Sequence, residues 1–134
     1  MASEIPIVRN IQSCLAVEME PSGSGVTLRT LVHAIVRIPG EPFPCIREEM
    51  AIYALLTNGR GEHDFSIELS YFDMGLETTF SQLGPLRIDL GQDPLAVLGL
   101  PIPLRNVIFP LEGQYTIYLA CEGQPLADVK LLVR

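Results

Sequence analysis

The stretch NVIFPLEGQYTIYLACEGQPLADVKLLVR, residues 106–134, decides how the whole chain is read. From Gly113 onward Tyr115, Ile117, Leu119 and Cys121 fall on alternate positions, which places them on one face of a strand. Glu122-Gly123-Gln124-Pro125 follows as a turn, because glycine accepts positive φ and proline has no N–H to give to a ladder. Ala127, Val129, Leu131 and Val133 then take one face of a second strand, with Asp128 and Lys130 on the other. The spacing predicts a β-hairpin that closes the chain.

Just upstream, Phe109-Pro110-Leu111-Glu112-Gly113-Gln114-Tyr115-Thr116-Ile117 ends a loop on a glycine and sets a tyrosine two residues before an apolar core position. The spacing resembles the tyrosine corner of immunoglobulin-like sandwiches, where the hydroxyl bonds back to loop backbone and fixes the turn between two sheets. Ile117 stands where an antibody domain carries its second cysteine, so no intersheet disulfide is expected. Tyr115 is therefore read as scaffolding, not as a ligand group.

Upstream of the corner, residues 104–109 form the preceding strand. Residues 95–103 are apolar but interrupted by Gly99, Pro101 and Pro103, which suits neither a helix nor an interior strand and points to an edge segment. Apolar side chains on such an edge make Leu95, Val97, Leu98, Leu100 and Ile102 the candidate interface; the competing reading is that the segment caps the core. Leu86, Ile88 and Leu90 mark another strand, and Thr78-Thr79-Phe80 a short edge piece before it. Phe65, Ile67, Leu69 and Tyr71 alternate cleanly with Asp64, Ser66, Glu68 and Ser70, giving one buried and one wet face. Residues 46–57 contain helix formers, yet Asn58-Gly59-Arg60-Gly61 is a hairpin signal, so a strand paired to the next is expected.

Toward the N-terminus, Ile11, Ser13, Leu15, Val17 and Met19 alternate as a half-buried first strand. The turn Pro21-Ser22-Gly23-Ser24-Gly25 leads into a second, with Val26, Leu28, Val32, Ala34, Val36 and Ile38 in phase, and the two should pair antiparallel. Pro39, Pro42 and Pro44 then block regular pairing and make a connection between sheets. Seven to eight short strands without a helical period predict an all-β chain, a single immunoglobulin-like antiparallel two-sheet sandwich over residues 1–134.

A chain of 134 residues can bury a core without metal or disulfide, and 48% hydrophobic against 19% charged residues excludes a disordered segment. A net charge of −7, with eight Arg and one Lys spread along the chain, argues against nucleic acid and against an anionic membrane surface. No leader pattern and no bilayer-length apolar run is seen. Three cysteines without a CxxC pair fit reduced thiols, so the cytoplasm is the expected compartment.

Chemistry-bearing residues are few. Cys14 and Cys121 lie in strand patterns and read as small hydrophobes; Cys45, in the proline-rich connection, is the only thiol expected to be accessible. His33 and His63 lack HxxxH or HxH spacing, and Glu62-His63-Asp64 is a weak hard-ligand cluster without a calcium-loop pattern. No Walker, GxGxxG or GxSxG motif occurs. No catalytic residue, cofactor or metal is expected, and the chain is not read as an enzyme.

Three features together carry a resemblance: residues 14–19 with the following Gly/Ser turn and Val26-Thr27-Leu28, Phe43-Pro44, and the corner ending at Tyr115 with its terminal hairpin. The chain resembles an uncharacterised bacterial family of small immunoglobulin-like sandwiches, a domain of unknown function. The resemblance implies a fold and no activity. The expected role is a noncatalytic protein-interaction or accessory module with a protein partner, a second copy in a homodimer being one candidate. The alternative is a sandwich that binds a small ligand in a pocket at one end of the sheets.

Overall fold

Period-two apolar patterning accounts for most of the regular structure. The computed structural model describes residues 3–22 and 25–134, with the backbone alone at Phe80. Within them run nine strands: β1 (Ile7–Met19), β2 (Val26–Leu31), β3 (Ala34–Ile35), β4 (Cys45–Thr57), β5 (Glu62–Asp73), β6 (Leu76–Asp89), β7 (Leu98–Phe109), β8 (Gly113–Cys121) and β9 (Gln124–Val133). They form a two-sheet sandwich, one sheet in the order β2-β1-β4-β7 and the other β3-β9-β8-β5-β6. Pairing is antiparallel throughout except between β3 and β9. Ile52, Leu56, Ile102 and Phe109 of the first sheet and Phe65, Ile117, Leu119 and Leu131 of the second fill the buried layer between them.

The terminal hairpin has the expected faces: Tyr115, Ile117, Leu119 and Cys121 are all buried. Its turn is tighter than the sequence implies. Only Glu122 (φ 52°) and Gly123 (φ 78°) make it, a two-residue turn with both φ positive, and Gln124 and Pro125 already belong to β9. The β1–β2 pairing also holds, from Met19↔Val26 to Cys14↔Leu31; of the residues expected in their turn, Gly23 and Ser24 lie outside the described residues.

Three expectations are corrected. The run from Val26 to Ile38 is not one strand. Thr30 takes φ 55°, Val32 N–H still donates to Ser13 O at 2.8 Å, and the chain then changes sheets, pairing Ala34 with Leu132 and Ile35 with Val133. The change of sheet turns the face over, so Ile35 is buried while Val36 and Ile38 are exposed. Asn58-Gly59-Arg60-Gly61 is not a hairpin either, because β4 pairs with β1 and β7 whereas β5 pairs with β6 and β8. The same turn residues reverse the chain across the roughly 10 Å between packed sheets instead of within one. Finally, β6 and β7 are each a single long edge strand where two pieces were expected. Pro101 and Pro103 fit in β7 because that strand has no neighbour beyond it to want their missing N–H groups.

The corner joins the sheets. Tyr115 donates its hydroxyl to Leu111 O at 2.5 Å and accepts from Leu111 N–H at 3.0 Å, so β7 hands the chain to β8 through a clamped loop. A second tyrosine reinforces it: Tyr71 O–H donates to Glu112 O at 3.0 Å, and the Tyr71 and Tyr115 ring centroids lie 5.0 Å apart. Gly113, at φ 142°, has no room for a side chain, since a Cβ there would meet the Tyr71 ring at 2.8 Å. Replacing Tyr115 with Phe keeps the ring packing but orphans a backbone N–H and a C=O. The expected loss is about 1–3 kcal/mol, read from urea unfolding; an unchanged midpoint would show the clamp to be dispensable.

Candidate functional site

The sequence-derived interface divides between core and surface. Leu100 and Ile102 point inward from β7 and are 8% and 1% exposed, so they are core and not interface. The reason is alternation: pairing Ile52↔Ile102 and Ala54↔Leu100 aligns them with the inward face of β4. Leu98 is half-buried, and only Leu95 and Val97, 86% and 62% exposed, remain on the surface. The core-capping reading thus holds for Leu100 and Ile102, and the interface reading is left with Leu95 and Val97 alone.

Cys45 is corrected as well. It is the first residue of β4, opposite Phe109, and is fully buried. Burial pushes its thiol pKa up, and the Glu41 carboxylate adds to this while Arg47 opposes it. Burial likewise raises Cys14, and raises Cys121 to about 11 with help from Glu122 and Asp64. A neutral thiol is a poor nucleophile.

His63 is buried, whereas its neighbours Glu62 and Asp64 sit on the opposite face of β5, where Arg87 bridges them at 3.5 and 3.1 Å. The three therefore do not converge on a common ligand. Arg60 O is an acceptor 2.8 Å from His63 Nε2, so that nitrogen carries the proton and donates. Ser3 Oγ lies 3.3 Å from the same nitrogen, which is thus no base for it. On the other side Nδ1 stands 3.3 Å from Glu122 Oε1, near enough for an ion pair but not aligned for a hydrogen bond. Glu122 Oε1 also accepts from Asp64 N–H at 3.0 Å. His63 is thus held within the fold, its Nε2 on Arg60 O and beside Ser3, between the N-terminal segment and the 58–61 crossing.

The surface that sequence reasoning missed lies at the end where β5 and β6 reverse. The registers Tyr71↔Tyr115, Gly113↔Val133, Ile35↔Val133 and Cys45↔Phe109 gather the 73–76 turn, the 110–112 loop and the 36–44 connection at this pole. Met74 is 93% and Leu76 73% exposed, with Phe72 and Leu111 also exposed at this end and Val36 and Ile38 exposed beyond β3, at the sheet's opposite edge. Beside the tip lies a 370 Å³ cleft walled by Tyr71, Leu76, Pro110, Leu111 and Tyr115, with Asp73 and Thr78 at its side. The 36–44 connection is itself held, with the Arg37 guanidinium 4.0 Å over the Phe43 ring and Arg47 paired to Glu41 at 2.9 Å. The only sequence signal for the pole is a methionine where a turn of this kind prefers Asn or Asp.

A model for a family of unknown function, DUF6941, matches residues 28–134. The chain belongs to that family. The DUF6941 match takes in β3–β9, and with them the corner and the apolar pole, and leaves β1 outside. No curated protein matches the sequence. Among solved structures the chain is similar to the Pseudomonas fluorescens alkylpurine DNA glycosylase AlkC bound to DNA containing an abasic site analog, with TM-score 0.47, 10% identity, and 92% of this chain and 30% of that one covered. It is also similar to the β-D-glucoside glucohydrolase of Trichoderma reesei, with TM-score 0.48, 10% identity, and 97% and 19% covered. The chain therefore spans less than a third of either protein, and likeness at this level carries no activity across. Among the described residues no helix is long and apolar enough to cross a membrane.

The thiol environments set a measurable pH dependence. The folded pKa of Cys121, about 11, lies above its ordinary 9.0, so burial favours the neutral form. Stability tied to that thiol is complete below pH 9.0 and is lost as pH rises toward 11. The gap in urea midpoint between the intact chain and Cys121→Ala should narrow across that window. A gap that stays constant to pH 11 would contradict the assignment.

Proposed function

We propose that the chain is a noncatalytic interaction module that docks through its apolar pole, and that the surface it meets is the same pole of a second copy. The observation that carries this is Met74, almost fully exposed at the tip of the β5–β6 hairpin with φ 50°, next to Gly75 at φ 80°. A non-glycine residue costs about 1–2 kcal/mol in the left-handed region, and Asn or Asp bears it better than Met. The sequence thus keeps an apolar side chain where local conformation disfavours it and no neighbour covers it. A retained local conflict of this kind points to a use outside the chain.

The second copy is favoured because knob and cleft lie side by side. A two-fold axis through the pole offers each Met74 to the other copy's Tyr71–Leu111 cleft, and methionine adapts to such gaps. Sheet extension is a poorer route. The outer edge of β7 lacks donors at Pro101 and Pro103, and β6 carries register breaks opposite Phe65/Ile67 and Leu69/Ser70.

The noncatalytic reading is supported by buried, neutral-leaning thiols and by a His63 whose Nε2 is spent on Arg60 O. Three free, buried cysteines support a reducing compartment, the cytoplasm, and the resemblance drawn from the sequence supports a bacterial one. The net charge of −7 supports a protein partner over nucleic acid or an anionic membrane.

The test is light scattering after size exclusion over a wide dilution range on the intact chain, Met74→Asn and Leu95→Asn. The expected result is a dimer that Met74→Asn weakens at least about tenfold and Leu95→Asn leaves alone. Because Asn suits the turn, Met74→Asn should meanwhile hold or raise the monomer's stability by up to about 1 kcal/mol. A monomer at every concentration overturns docking to a second copy, and a dimer broken only by Leu95→Asn moves the interface to the opposite end.

A further inference from the structure

The two sheets part along one side, where β6 and β7 are the facing edge strands, and leave a 250 Å³ cleft that opens onto the core. Its floor is Ile67, Leu69, Leu104 and Ile117, all buried. Its mouth is polar: Ser81 and Gln82 stand on β6, Arg105 and Asn106 on β7, all exposed. None of these four side chains makes a hydrogen bond or ion pair with another described residue. Asn106 sits at φ 54°, a left-handed position that asparagine bears readily and that interrupts the alternation of β7 at the mouth. An aliphatic floor under a few convergent polar groups is the usual build of a small-molecule site.

We infer that this cleft takes a medium-chain carboxylic acid, its alkyl tail on Ile67, Leu69, Leu104 and Ile117 and its carboxylate on Arg105. The anion follows from charge. In a chain of net charge −7, Arg105 makes no ion pair among the described residues, not even with Glu49, its partner in the β4–β7 register, and a guanidinium matches a carboxylate with paired N–H donors. The tail follows from volume. At roughly 30 Å³ for each non-hydrogen group, about a water's share of the liquid, 250 Å³ holds the tail of octanoate with its head left at the mouth. An added peptide strand fits less well, since Pro101 and Pro103 remove donors from the edge it would have to follow. The site is separate from the apolar pole, and its occupancy does not depend on docking there.

The experiment is a methyl NMR titration of the full chain with octanoate and, in parallel, with octan-1-ol. The Ile67, Leu69, Leu104 and Ile117 methyls should shift saturably with octanoate, about tenfold more tightly than with the alcohol, given the usual strength of a hydrogen bond to a charged group. Arg105→Gln should bring octanoate down to the alcohol's level. Leu83→Trp, at the half-open mouth, should block both. No saturable shift at millimolar octanoate overturns the site, as do shifts scattered away from the floor. Equal affinity for acid and alcohol, or an unaltered Arg105→Gln titration, overturns the carboxylate assignment.

Discussion

One hydroxyl group holds the two layers in relation. Tyr115 is buried beside Phe109, their ring centroids 5.2 Å apart, and its oxygen both gives to and takes from the backbone of Leu111. The loop between β7 and β8 must leave one sheet and join the other, which would strand peptide groups in a place where no ladder reaches them. Tyr115 pairs two of those groups and Tyr71 a third, at Glu112. The 110–112 part of the apolar pole stands on this arrangement. The cleft beside Met74 is walled by the same Tyr71 and Leu111, so that wall is built from the corner itself.

The sandwich class, the corner and the terminal hairpin were legible because each rests on local pattern: alternation over residues 113–133, a glycine before Tyr115, an apolar run with turn residues at its ends. Sheet membership was not. The Asn58–Gly61 crossing and a true hairpin use the same residues, since a turn signal reports that the chain reverses and not which strand it meets next. The change of sheet after β2 left no composition mark either, and its position rests on long-range bonds such as Val32 N–H to Ser13 O and Arg37 N–H to Arg134 O.

For the candidate surfaces the limit is different in kind. Residues 95–103 read as one apolar segment, yet the strand period sends Leu100 and Ile102 inward and leaves Leu95 and Val97 out. The cleft between β6 and β7 could not be foreseen, because Arg105 and Gln82 meet only through the spacing of two sheets that are not bonded to each other along that side. The pole was hidden because its members come from segments as distant as Val36, Met74 and Leu111, and an exposed apolar residue in sequence looks like a buried one.

Two turns in the chain share a backbone and differ in what fills them. Glu122-Gly123 and Met74-Gly75 both carry two successive positive φ angles, and neither uses the Asn or Asp that this turn favours. At Glu122 the exception explains itself within the molecule, for its carboxylate accepts from Asp64 N–H and faces His63. Met74 has no such return. Its side chain stands in solvent, on a turn that would be better formed without it, beside a cleft whose walls are mostly apolar, with Asp73 and Thr78 among them. The same local rule is broken twice; one break is answered by a contact inside the chain, and the unanswered one is the ground on which the proposed docking rests.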